Sequence, residues 1–191
     1  MRRILASIVL VMMMTGCDSE NASDTETPSE AEKSSEVQTS SEAPMSPEAR
    51  AAQAAEMFQA GVAAFDRGDY PTALTLWLPL ARGGLAAAQV NLGNAYLNGT
   101  GVFADDVEAA KWFRLAAEQG DPKAQNNLGV MYANGKGVPQ SFTQAYVWFS
   151  IGASKAGNTT DAAKNRDLAA AQMSPEQIAE GQKLVQAWKP K

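Results

Sequence analysis

One stretch of this 191-residue chain is written nearly twice. Residues 88–120 read AQVNLGNAYLNGTGVFADDVEAAKWFRLAAEQG, and residues 124–157 read AQNNLGVMYANGKGVPQSFTQAYVWFSIGASKAG. A shift of 36 residues superposes Ala88, Leu92, Gly93 and Tyr96 on Ala124, Leu128, Gly129 and Tyr132. The same shift superposes Gly99, Gly101, Val102, Ala109 and Trp112 on Gly135, Gly137, Val138, Ala145 and Trp148. A fixed period of this size marks a stacked-repeat architecture, and it constrains the fold more than any single motif does.

Each copy reads as two helices around a glycine-rich turn. Ala88, Leu92 and Tyr96 stand at i, i+4 and i+8, one apolar stripe of a helix. Gly93 lies beside that stripe, and glycine inside a helix costs about 1 kcal/mol relative to alanine. Its recurrence at Gly129 predicts a neighbouring helix passing very close. Asn98-Gly99 and Asn134-Gly135 are helix stops, since both residue types tolerate positive φ. Ala109, Trp112, Phe113 and Ala116, matched by Ala145, Trp148, Phe149 and Gly152, form the second amphipathic helix, with its tryptophan expected in the core. One such hairpin cannot bury its own apolar side, so hairpins stack.

The pattern resembles the Sel-one-like repeat, a relative of the tetratricopeptide repeat, written A-x-x-x-L-G-x-x-Y, then G-x-G-V, A-x-x-W and A-A-x-x-G. The departures are Gly152 where Ala116 stands and a one-residue slip before Gly157. The resemblance implies an all-α, right-handed solenoid of stacked helix pairs that binds proteins or peptides. It also implies that the first helix of each pair lines a concave groove. Some secreted relatives hydrolyse cell-wall-related substrates, which makes an envelope hydrolase or a peptidoglycan-interacting protein an alternative, as is a structural subunit of an envelope complex.

Around the two clear copies, residues 85–120 and 121–157, the remainder completes the stack. Ser46-Pro47-Glu48 opens a helix with an N-cap serine, a proline in the first turn and a carboxylate at the positive end. That helix is expected to reach Asp66 and bury Met57, Phe58, Val62 and Phe65. Asp69 caps a second helix carrying Ala73, Leu76, Trp77, Leu80 and Ala81, stopped at Gly83-Gly84. Residues 47–84 therefore read as a degenerate repeat with a shorter turn. Asp121 caps the next repeat. At the far end, Thr159 or Thr160 and the capping box Ser174-Pro175-Glu176-Gln177 open two closing helices over residues 159–188, expected to present a polar outer side. Eight helices in four pairs follow from this division.

The N-terminus has a different character. Arg2 and Arg3 precede an apolar run over residues 4–14, 11 residues long, where a spanning helix needs about 20. This is the layout of a secretory signal. It ends in Met14-Thr15-Gly16-Cys17, which resembles a bacterial lipobox, and Cys17 is the chain's only cysteine. The resemblance implies a diacylglyceryl group on Cys17 and residence at the periplasmic side of the cell envelope, with Asp18 leaning toward the inner membrane. Residues 18–46 carry eight acidic groups against Lys33 and are poor in large apolar side chains, the composition of a disordered tether. The remainder, residues 47–191, balances 13 acidic against 13 basic residues, so no basic surface for nucleic acid is expected.

The chain contains no histidine, which removes the commonest general base and metal ligand. With Cys17 committed to export, no thiol nucleophile remains. Asp105, Asp106 and Glu108 read as a helix cap with favourably placed neighbours rather than a metal site. No catalytic residue, metal or cofactor is expected. One helix face does stand out. Asn91, Asn94 and Asn98 share a side of their helix, with Asn127, Val130 and Asn134 as equivalents. An amide side chain donates and accepts, matching a peptide bond, so Asn91, Asn94 and Asn127 are the candidate peptide-binding residues. The expected role is a membrane-tethered adaptor at the envelope with a protein or peptide partner.

Overall fold

The computed structural model describes residues 45–155 and 161–191, which hold eight helices and no strand. They are α1 Pro47–Asp66, α2 Tyr70–Arg82, α3 Ala86–Asn98, α4 Asp106–Glu118, α5 Pro122–Asn134, α6 Phe142–Lys155, α7 Asp161–Ala170 and α8 Pro175–Ala187. Each of α1 to α6 packs on the helix that follows it. This is the all-α solenoid that the repeats predict. The stretch read above as a secretory signal, with Cys17 and Asp18, the acidic segment up to residue 44, and Thr159 and Thr160 lie outside the described residues.

Local chemistry sets the helix ends where the sequence places them. Ser46 Oγ accepts from the Ala49 N–H at 3.1 Å, Asp69 from Thr72 at 3.3 Å and Asp121 from Ala124 at 2.8 Å. Asp105 takes two donors, the N–H groups of Val107 and Glu108, which accounts for the acidic cluster. Ser174 and Gln177 complete a capping box. Helices α3 and α5 end at Gly99 and Gly135, both left-handed with φ of 68° and 66°.

The close approach inferred at Gly93 and Gly129 is there. A methyl group at Gly93 would lie 2.6 Å from Phe113 of α4, and one at Gly129 would lie 2.6 Å from Phe149 of α6. Gly61 of α1 meets Trp77 of α2 in the same way. The 36-residue register thus runs back into α2: Ala73, Ala109 and Ala145 are all fully buried, and Trp77, Phe113 and Phe149 occupy one structural position. Residues 47–84 thus hold a helix pair whose second helix keeps this register.

Two expectations need correction. Met57, Phe58, Val62 and Phe65 are only half-buried, and the enclosed positions of α1 are Gly61 and Ala64. α1 is the terminal helix of the stack and has no hairpin before it. Trp112 and Trp148 are likewise half-buried, while Phe113 and Phe149, one residue on, are enclosed. The tryptophans instead close seams: Trp112 packs against the cluster of Trp77, Ala88 and Leu92, and Trp148 against that of Phe113, Ala124 and Leu128.

Two further devices join neighbouring repeats. Gly101 and Gly137, at φ 76° and 63°, press their loops onto the first turn of the preceding second helix. A methyl at Gly101 would come within 2.6 Å of Tyr70 Cβ, and one at Gly137 would overlap the Asp106 carbonyl. Gln89 and Gln125 are buried, at 3% and 0% exposure. Each Nε2 donates to a carbonyl at the end of the preceding helix, Ala81 at 2.9 Å and Ala117 at 3.0 Å. Gln119 Nε2 in turn donates to Gln89 Oε1 at 2.8 Å.

The closing helices do not form a pair like the others. Both α7 and α8 pack on α6, with Gly181 against the Tyr146 ring. Their outer side is not wholly polar, since Leu168 is 60% and Leu184 37% exposed.

Gly129→Ala should destabilise the fold: overpacking costs about 1–3 kcal/mol against about 1 kcal/mol gained in helix propensity. In urea titrations the loss from Gly129→Ala together with Phe149→Leu should be smaller than the sum of the single losses, because the smaller side chain leaves room for the methyl. Gln89→Met keeps the volume but removes the side-chain donor to the Ala81 carbonyl, which keeps the Gly84 N–H, and the acceptor of Gln119. It should cost about 0.5–1.5 kcal/mol in the same assay.

Candidate functional site

The first helices of the successive pairs share a face, and that face is hollowed. A cavity of about 320 Å³ is lined by Phe58, Val62, Phe65 and Asp66 of α1, Trp77 of α2, and Asn91 and Asn94 of α3. A second, of about 410 Å³, is lined by Val90 and Asn94 of α3, Pro122, Lys123, Asn126 and Asn127 of α5, Gly152 of α6, and Asp161 and Ala162 of α7. A third, of about 230 Å³, includes Val130, Phe142, Asn165 and Leu168. Asn94 belongs to both the first and the second.

Amide side chains stand between these hollows. Asn127 Nδ2 faces Asn94 Oδ1 at 3.4 Å, bridging α5 to α3. Asn165 Nδ2 donates to Asn126 Oδ1 at 3.1 Å, bridging α7 to α5. All four are half-buried, so each keeps donor or acceptor capacity toward the open side. The hollows between them are wide enough for side chains, and much of their lining is apolar. Physically this is a corrugated groove, with amide ridges separating mostly apolar hollows.

The three asparagines singled out from sequence fall in it: Asn91 in the first cavity, Asn94 on the boundary and Asn127 in the second. Asn98 and Asn134 are exposed helix ends, and Asn134 Nδ2 donates to Val130 of its own helix. Asn126 and Asn165 escaped the sequence reading. Asn126 replaces Val90 of the first copy, so the repeat did not mark it. Asn165 belongs to a third first-helix in a different register. A shift of 38 rather than 36 superposes Ala124, Asn127 and Met131 on Ala162, Asn165 and Ala169, and the flanking alanines and methionine are all buried. Arg166 and Asp167 at the Leu128-Gly129 positions conceal the match.

The charge in the groove is sparse and uneven. Asp66 is the one charged group lining the first cavity, and Lys123 and Asp161 both line the second. Among the described residues no group of three or more acidic or cysteine side chains could hold a metal ion.

Comparison with known proteins agrees with this geometry. Residues 86–121 and 122–156 each match the Sel1 repeat. The pairs α3–α4 and α5–α6 coincide with these two Sel1 repeats. The crystal structure of c5321, described as a protective antigen present in uropathogenic Escherichia coli strains displaying an SLR fold, is 34% identical. It superposes with a TM-score of 0.67 over 72% of this chain and 30% of its own. A Sel1 repeat protein from Oxalobacter formigenes, also 34% identical, superposes at 0.51 over 58% of this chain and 46% of its own. The chain therefore spans less than half the length of either. No curated protein matches it in sequence.

Proposed function

We propose that this chain is a scaffold or adaptor that binds an extended segment of a partner protein along the groove of its Sel1-repeat solenoid. Sel1 repeats commonly serve as protein-interaction scaffolds, and the groove gives that general role a specific form here. The observation that carries it is the alternation of amide ridges with hollows. Asn94–Asn127 and Asn126–Asn165 offer donors and acceptors to a peptide backbone, while the spaces between accept side chains. Such a groove holds a backbone without demanding one sequence. The reading is non-catalytic: what supports it is a face of amides and hollows suited to contact, in a chain that lacks histidine and has its one cysteine at position 17, though its carboxylates retain acid–base capacity.

The groove should be testable directly. In fluorescence anisotropy against a library of extended peptides, Asn91→Ala, Asn94→Ala and Asn127→Ala together should weaken binding at least tenfold, while the circular dichroism spectrum stays helical. Unchanged affinity would remove the groove from the function.

The setting of this scaffold is the bacterial envelope, with lipid on Cys17 as the anchor and the acidic segment as tether. The basic start, the short apolar run and Gly16-Cys17 support this. One acyl chain binds a bilayer only marginally, and two or more hold firmly, at about 0.8 kcal/mol per buried CH₂. Asp18 favours the inner membrane. Expressed in bacteria, the full chain should partition into the detergent phase and Cys17→Ala should stay in the aqueous phase; identical partition of the two would exclude lipid anchorage.

A further inference from the structure

The three hollows differ in chemistry, and the first is the most specific. Its wall is aromatic. The Trp77 ring lies 5.5 Å from Phe65 and 6.4 Å from Phe58, centroid to centroid, at interplanar angles of 34° and 35°. Trp77 is itself enclosed, 2% exposed behind Gly61, and its indole N–H is given to the Phe58 carbonyl at 3.4 Å, so the open π surface of this wall is that of the half-buried Phe58 and Phe65. At the edge stands Asp66, the last residue of α1. It is exposed, and no ion pair holds its carboxylate among the described residues. Its position at the end of α1 adds the partial negative charge of a helix C-terminus to its own.

An uncharged aliphatic group in this cavity would cover the carboxylate and strip its water for no return, which is costly for an ion. A carboxylate would be repelled. A long side chain with an apolar stem and a cationic head fits every part. The methylenes lie along Val62 and Phe58. The positive head meets the Phe58 and Phe65 rings and the Asp66 carboxylate, and the amide oxygens of Asn91 and Asn94 take its remaining N–H groups. Arginine suits this better than lysine, because a planar guanidinium stacks on rings and still donates in its own plane.

We therefore propose that the Phe58–Phe65–Trp77–Asp66 cavity is a specificity subsite for a basic side chain, arginine ahead of lysine, of the segment bound in the groove. The proposal rests on the groove reading above and adds a sequence requirement to it. The second cavity carries both Lys123 and Asp161, so it imposes no such preference by charge. A partner is then read at one end by its basic residue and held along the rest by its backbone, which fixes the register of binding.

The test uses the full chain and capped nonapeptides of alanine, glycine and serine with one central variable residue, followed by fluorescence anisotropy. The arginine peptide should bind roughly tenfold tighter than its citrulline counterpart, which has the same shape without the charge. Leucine and glutamate peptides should be weaker still. Asp66→Asn, at an exposed site that leaves the core intact, should abolish the difference between arginine and citrulline. Glu56→Gln, an exposed α1 carboxylate outside the cavity, should preserve it. Leucine binding as tightly as arginine, or an arginine preference surviving Asp66→Asn, overturns the subsite. Peptides bound alike whatever their central residue sink the subsite and leave the groove standing. No peptide bound at all sinks both.

Discussion

Among the described residues the stack depends on three places where the two helices of one hairpin meet as a glycine against an aromatic ring. Gly61 lies on Trp77, Gly93 on Phe113 and Gly129 on Phe149. Each contact lets the two helices of a hairpin approach closely enough for the flanking alanines to become core. Ala64, Ala73, Ala88, Ala109, Ala116, Ala124 and Ala145 are all fully enclosed. A core built from methyl groups and a few rings gains little from any one side chain. It gains from proximity, and proximity is what the glycines provide. This explains why glycine is retained inside helices where its intrinsic propensity is poor.

Stacking then follows from what a hairpin leaves uncovered. The GxG loop of one repeat rests on the first turn of the second helix of the repeat before it, where Gly101 and Gly137 leave no room for a side chain. The tryptophans fill the seam beside it. Gln89 and Gln125 add a side-chain donor to carbonyls at the end of the preceding helix, Ala81 and Ala117, which also accept from the Gly84 and Gly120 N–H groups. These contacts are all between successive units, so the solenoid is a chain of nearest-neighbour interfaces. The groove is a by-product of the same geometry. First helices set side by side leave hollows between their outward faces, lined partly by core residues such as Val90 and Trp77 and partly by exposed ones such as Asp66.

How far the sequence discloses this depends on the range of each interaction. Caps at Ser46, Asp69, Asp105, Asp121 and Ser174 are local, and they were legible in full. The glycine–aromatic contacts were half legible: a glycine conserved between two copies of one chain announces a close neighbour but does not say which ring. Gln89 and Gln125 stand beside Ala88 and Ala124 in both copies, yet they carried no signal. A glutamine on a helix is solvated by default, and only the approach of the preceding turn makes it interior. The burial of Trp112 against Phe113 was misjudged for a related reason: size ranks side chains for burial, but the ring facing the glycine, not the larger ring, occupies the axis of the hairpin. Asn165 was hidden by a change of register, since the two extra residues before α7 carry the third first-helix out of the 36-residue frame.

The same physics makes the groove evolvable in a way the core is not. A substitution at Gly93 or Phe113 propagates into two hairpins, because each layer is fitted to the next. A substitution at Asn91 or Asp66 changes what faces the open side. The two copies show this directly: Ala88, Leu92 and Gly93 recur as Ala124, Leu128 and Gly129 and keep the core closed, while Val90 becomes Asn126 and Asn94 becomes Val130 on the groove side. Valine and asparagine thus exchange places between one repeat and the next. The polarity of the groove is set repeat by repeat while the scaffold stays constant, so recognition in this architecture resides in which hollow carries an amide, which carries an apolar wall, and which, as at Asp66, carries a charge.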